Sequence, residues 1–353
     1  MTAAEWFPCG DGVVNGAKAA LARQYARLVE SASVPARRAF AFSRRRFRDR
    51  FGDVALHAVT LGAGIATVVL VGAIVYKIFD GASLAIGHFG LGFLTSSTWD
   101  PVKGVFGARD FIFGTLATSA IALVLATPIS IAIGLYLSEL APKGLRGIIA
   151  TLVEMLAAIP SVVLGLWGIF VLGPFLGMHV EPWLHRNLGF IPLFGAPSQA
   201  GTGLFTAGLI LTIMVVPIIS SICRELFLAV PRELEEGALA LGTTRWEMVR
   251  GVVIPYTRSG ITAAVVLGLG RALGEAIAVT QVIGNAAGIH SSVFAPADTI
   301  GSKLANQFLN ATTKLELSSL FYLAVILLVI GVVTNVFAQW IVGRFEYQRT
   351  GAE

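Results

Sequence analysis

Apolar residues crowd out polar ones in six long stretches of the chain, at residues 54–79, 111–137, 148–176, 204–223, 260–284 and 317–342. Each reaches the ~20 residues that a helix needs to cross the hydrocarbon of a bilayer. Backbone groups left unpaired in lipid are costly, so each stretch predicts a helix rather than a strand. None alternates with the period of two that a membrane barrel requires. The pattern predicts an all-α membrane protein with six transmembrane helices.

Composition agrees: 55% of the residues are hydrophobic and 13% charged, against ~25% charged in soluble chains. The basic residues set the orientation. Lys18, Arg23, Arg27, Arg37, Arg38, Arg44, Arg45, Arg46, Arg48 and Arg50 precede the first stretch, a heavy positive-inside signal. With the N-terminus inside, 19 Lys and Arg lie on the cytoplasmic side and 6 at or beyond the outer face, and Arg271 falls within the fifth stretch. The expected layout is a basic cytoplasmic extension at 1–53, a membrane domain at 54–343 with an inner loop at 224–258, and a cytoplasmic tail at 344–353. That places both termini in the cytoplasm. The net charge of +5 follows from topology and the anionic inner leaflet, and no aromatic and basic reading surface for nucleic acid accompanies it. The first 50 residues contain no short apolar core with a cleavage site, so a cleavable leader is not expected. Cys9 and Cys223 form no disulfide framework, and His57, His88, His179, His185 and His290 have no ligand spacing, so neither a metal nor a cofactor is expected.

Within the extension, residues 17–30 have helical periodicity, with Asn15 as a cap and Leu21, Tyr25 and Leu28 on one face. This segment is either a surface helix or part of a basic arm. Long loops at 80–110, 177–203 and 285–316 form the outer surface, where an external partner must dock.

The inner loop reads RELEEGALALGTTRWEMVRGVVIPYTR over residues 232–258. Pro231 precedes a helix-compatible run, and Gly242 suits the left-handed residue that closes a helix. Thr244 and Glu247 then have the spacing of a capping box, which starts a second helix, and Pro255 lies near its end. Two capped helices with a sharp bend suit a groove on another protein. The segment resembles the EAA loop of ABC importer permeases, in Glu236-Gly237-Ala238, Gly242 and, after nine residues, Val252-Val253-Ile254-Pro255. It departs at Gly237, Val252 and Ile254, each a small or conservative change. The resemblance implies that Glu235, Glu236, Gly237, Ala238, Gly242 and Pro255 belong to an element that docks on a nucleotide-binding subunit. The chain has no phosphate-binding loop, not even a Gly-Lys pair, so ATP hydrolysis belongs to another chain and this one is a non-catalytic subunit.

The fifth stretch carries Gly268, Gly270, Arg271, Gly274 and Glu275. An Arg near a helix centre costs ~2.5–3.5 kcal/mol on insertion scales, so it marks a pathway or a partner. On a continuous helix Glu275 lies one turn from Arg271, where the two can pair. The glycines beside them permit close helix approach or access by a ligand. A guanidinium grips two oxygens of a tetrahedral oxyanion at once, and that role is compatible with pairing. Glu154 precedes Pro160, a kink site, and reads either as a helix-packing carboxylate or as a pathway residue. Ser161 either donates to an oxyanion or bonds a backbone carbonyl.

Three stretches carry a closer resemblance: Phe113-Gly-Thr-Leu-Ala-Thr-Ser119; Glu154 to Ser161 with Gly165-Leu-Trp-Gly168; and Gly268 to Asn285. Together with the inner loop they are similar to the permease family of the bacterial phosphate-specific (Pst) system, over roughly residues 105–345. The resemblance implies a type I ABC importer permease of the MetI-like fold. It further implies a PstA-like second permease, two PstB-like ATPases, a PstS-like phosphate-binding protein outside, and roles for Arg271 and Glu275 in phosphate passage. The basic extension lies outside the resemblance. Sulfate, molybdate or phosphonate is the alternative cargo. A proton-coupled carrier titrating Glu154 or Glu275 would be expected to show inverted halves with interrupted helices, and no internal repeat is evident. A membrane enzyme would need a paired-carboxylate, metal or nucleophile–base spacing that the chain lacks.

Overall fold

A computed structural model of the chain describes residues 42–350. The expected helix at 17–30 and most of the basic extension lie outside the described residues. The chain divides into two compact units, 1–73 and 74–353. The described part of the first unit is helical, within α1 (Phe42–Phe89). All packing below lies within the second.

Among the described residues six helices are long and apolar enough to cross a membrane, and none of these residues forms a named strand. The crossing segments are Gly52–Phe89 of α1, α2 (Arg109–Leu140), α4 (Ser161–Leu188), α5 (Leu204–Leu228), α7 (Arg245–Gly274) and Lys314–Trp340 of α10 (Lys314–Thr350). Among the shorter helices are α3 (Lys143–Ala158), α6 (Arg232–Ala240), α8 (Ile277–Val282) and α9 (Ile300–Gln307). The protein is a multi-pass, all-α membrane protein.

Two crossings differ from the hydrophobic pattern. The stretch at 148–176 is not one helix. Pro160 cannot donate to a preceding turn and pushes Ile159 into an extended conformation (φ −68°, ψ 125°), so the expected kink is a complete break. The third crossing therefore starts at Ser161, uses part of the expected outer loop and leaves α3 as a separate amphipathic helix. The stretch at 260–284 also breaks. α7 ends at Gly274, Glu275 is extended (φ −76°, ψ 120°), and α8 follows. At its other end α7 reaches back to Arg245 through a π-helical turn at Val249–Val253, which accommodates the missing amide of Pro255. Pro255 lies inside this helix, where the sequence suggested an end.

α5 is the most buried crossing. Ile210, Leu211, Val215, Ile219 and Cys223 form the centre of the larger apolar core, with α2 and α7 packed around them. α4 lies against α8, where Gly165 abuts Gln281 and Ala278 and Gly168 abuts Val282. Both helices advance in the same direction through these contacts, so the breaks after Ile159 and Gly274 lie at a common level.

A second core joins the end of α1, the start of α2, α9 and the start of α10, through Ala85, Phe93, Phe106, Phe111, Ile300 and Leu320. Phe93 stacks on Tyr322 at 4.5 Å, and the Tyr322 hydroxyl donates to Gly90 O at 3.0 Å. Lys303 Nζ lies over the Trp99 and Phe111 rings at 5.0 and 5.1 Å, and 4.0 Å from Asp298 Oδ2. Gly114 of α2 lets the Asp298 carbonyl approach so closely that a Cβ there would overlap its oxygen. Gly114→Ala is expected to destabilise the fold by about 2 kcal/mol, read as a lower melting temperature of the purified protein.

Burial pushes the Asp298 carboxyl from 3.8 up to about 6, although Lys303, Ser302 and the Thr299 amide favour its ionised form. The unfolded chain releases this proton above 3.8 and the folded chain holds it to about 6. The folded state therefore binds more protons in that window, and stability falls as pH rises through it and then levels off. Thermal unfolding against pH should show this slope in the wild type and lose it in Asp298→Asn.

Candidate functional site

The loop at 232–258 forms the two capped helix starts that the sequence predicts, the second continuing directly into α7. Pro231 precedes α6, and Gly242 adopts φ 85° just past its end. Thr244 Oγ1 accepts from the Glu247 amide at 3.3 Å while Glu247 Oε2 accepts from the Thr244 amide at 2.8 Å, which completes the capping box. The elbow is tied to the bundle. Ala238 packs on the larger core, Thr243 Oγ1 donates to Ala238 O at 2.9 Å, and Arg245 Nη1 donates to Glu139 O at 3.4 Å. Glu236 and Gly237 are exposed. Glu235 is half-buried, and its burial, with the Glu139 and Glu236 carboxylates nearby, raises its pKa against the pull of Arg232. Apolar side chains face outward around the bend: Leu234, Leu239 and Trp246 are exposed, and Leu241 is 87% accessible.

Arg271 lies in the last turn of α7, and carries no hydrogen bond or ion pair among the described residues. The pairing with Glu275 that a continuous helix allows does not form, because the chain leaves the helix at Gly274. Glu275 instead turns to the start of α8, where its Oε1 accepts from the Ala278 amide at 3.5 Å. The α7 carbonyls left unpaired at the break carry partial negative charge, which favours a cation in that last turn. Arg271 borders a cavity of about 680 Å³ between α5, α7 and α10, lined also by Ile218, Leu267, Gly270, Asn335 and Gln339. The neighbouring glycines divide their roles. A Cβ at Gly268 would press on Val215 and Ile219 of α5, whereas one at Gly270 or Gly274 meets nothing within 4 Å.

Ser161 opens α4 immediately after Pro160, half-buried, and its hydroxyl bonds no backbone carbonyl among the described residues. Ser161 and Glu275 thus occupy corresponding positions at the two helix breaks. Glu154 lies apart from the Arg271 cavity. On α3 it pairs with Arg224 at 3.5 Å and borders a separate cavity of about 470 Å³ with Ser221 and Glu225. Asn335 and Gln339 were missed in the sequence, where the signal was two amides one turn apart in an otherwise apolar helix.

The protein thus combines interrupted membrane helices, a guanidinium without a partner among the described residues beside a cavity, and a capped elbow on the same helix as that guanidinium. Residues 130–347 match the model of a family described as the inner membrane component of binding-protein-dependent transport systems. The chain belongs to this family. The permease is 47% identical over 304 residues to the phosphate transport system permease protein PstC of Mesorhizobium japonicum, covering 85% of this chain and 92% of that one. It is 41% identical to PstC of Haemophilus influenzae, covering 86% and 97% of the two chains. Among solved structures it is similar in fold to a bacterial alginate ABC transporter in complex with its pentasaccharide-bound periplasmic protein. That likeness has a TM-score of 0.55 at 20% identity, over 83% of this permease and 96% of that chain. Interrupted helices, expected of a secondary carrier, are therefore also present in this permease, and interruption alone does not separate the two classes.

Proposed function

We propose that the chain is the permease subunit of an ATP-driven importer of inorganic phosphate in a bacterial inner membrane, with both termini cytoplasmic. The observation that carries this reading is the near-full-length identity of 47% to a phosphate transport permease. The free guanidinium beside the cavity supports it, since Arg donors fit two oxygens of a tetrahedral oxyanion.

In this reading a PstA-like chain supplies the other half of the pathway, two PstB-like ATPases lie on the inner side with one of them seated against residues 236–242, and a PstS-like protein delivers phosphate to the outer loops. The exposed Leu241 and Trp246 give the elbow the apolar contact area that such docking uses. The elbow's second arm is the first turn of α7, and Arg271 lies about 39 Å along the same helix at 1.5 Å per residue. A displacement at the elbow therefore reaches the anion site without passing through a flexible joint. Phosphate bound by Arg271, with Glu275 and Ser161 at the adjoining breaks, is released inward as α7 tilts.

The test is uptake of labelled phosphate into proteoliposomes holding this chain with its partner subunits and a loaded binding protein. ATP-dependent phosphate uptake is expected. Uptake that proceeds without ATP, or entry of sulfate with exclusion of phosphate, overturns the reading.

A further inference from the structure

Beyond Arg271, the cavity contains two polar side chains that the hydrophobic pattern conceals. Asn335 and Gln339 stand one turn apart on α10, both exposed, both on the cavity wall. Gln339 Nε2 donates to Asn335 Oδ1 at 3.1 Å. That bond engages one lone pair of the Asn335 oxygen and orients the amide, and both hydrogens of its Nδ2 are available to another acceptor.

α7 and α10 run past each other with Gly270 and Arg271 at one end of the cavity lining and Ala263 and Gly343 at the other. The lining residues on α10 advance from Asn335 through Gln339 to Gly343, about 12 Å along the helix. The wall therefore changes from a guanidinium to a pair of neutral amides and then to the end nearer the elbow. Val336 and Phe337, exposed on α10 between the amides, are apolar and do not line the cavity. A guanidinium and two amides gathered on one strip are costly against hydrocarbon, whereas the same strip facing water or a polar ligand is not.

An ion that must move on needs successive sites, none of which holds it too tightly. Neutral N–H donors bind an oxyanion more weakly than a guanidinium does, while still replacing part of its hydration. We propose that Asn335 and Gln339 form the inward continuation of the Arg271 site, an amide track that receives a tetrahedral oxyanion from the guanidinium and passes it towards the elbow side. This inference rests on the permease reading above and adds two residues and a direction to it.

The test uses the assembled complex in phosphatidylcholine vesicles, with Cys9→Ser and Cys223→Ala as background and single Asn335→Cys, Gln339→Cys and Phe337→Cys replacements. A charged, water-soluble thiol reagent is expected to label positions 335 and 339 but not 337, and turnover with phosphate is expected to slow that labelling. The lipid is the same in every arm, so protection that depends on added phosphate does not come from a headgroup. In separate complexes, Asn335→Leu and Gln339→Leu are expected to lower phosphate uptake about tenfold with copurification of the partner subunits unchanged. An unlabelled 335 or 339, labelling of 337 at the same rate, protection without any added anion, or normal uptake by both leucine variants overturns the track. Protection by sulfate in place of phosphate supports the track and removes the phosphate assignment.

Discussion

Arg271→Gln is expected to lower phosphate uptake by more than about a hundredfold, the loss of two charge-assisted hydrogen bonds, while the complex assembles as before. The sign of its effect on stability is what distinguishes a working group from a structural one. An arginine that braced helices would leave an unpaired partner when neutralised, and the protein would weaken. Arg271 is exposed on the cavity and has no partner among the described residues, so neutralising it strands nothing and removes a charge that hydrocarbon disfavours by up to ~2.5–3.5 kcal/mol on insertion scales. The melting temperature of the detergent-solubilised complex should therefore hold or rise as uptake disappears. Arg271→Lys keeps the charge but not the planar fork, and should restore only part of the rate. Full uptake by the glutamine variant, or loss of assembly with it, would return Arg271 to a scaffolding role.

The second large effect is expected at the elbow. Gly242 adopts φ 85°, and nothing lies within 4 Å of where its Cβ would be, so a substitution there meets backbone strain and no collision. A β-branched residue resists that conformation at a cost of about 1–3 kcal/mol, enough to re-aim the capped turn at Thr244. Gly242→Val is expected to lower ATP-dependent uptake by about tenfold or more and to reduce copurification of the ATPase subunits. Gly242→Asn, which tolerates the left-handed region, should retain most of both activities. The site at the far end of α7 is unaltered in either variant, so binding at Arg271 should be unchanged. Equal coupling by the valine and asparagine variants would show that the elbow transmits nothing.

Much of this arrangement was legible in the sequence because it depends on local chemistry. The Gly242 bend and the Thr244–Glu247 box are decided by residues within a few positions of one another, and the structure repeats them. The six crossings were legible because bilayer thickness imposes a length. The breaks were harder to see. Hydropathy continues through Ala276 to Val282, so an average cannot register that the chain leaves its helix at Gly274. Pro160 signalled a disturbance but not its size, since the outcome depends on whether α4 finds a new surface, here α8. The presumed Arg271–Glu275 pair failed for the same reason: spacing by four means proximity only while the helix lasts. Asn335 and Gln339 lie towards the end of a strongly apolar span, and only their shared cavity with Arg271 gives them meaning.

Leu241 at the bend is 87% accessible, with Trp246 close behind at 65%. Such a patch is tolerable while another subunit covers it and is a liability otherwise. A copy synthesised without its companions thus advertises its own incompleteness to chaperones and proteases, which respond to uncovered grease. Stoichiometry among the subunits can then be enforced after translation, by removal of the unmatched, with no regulator required to count them.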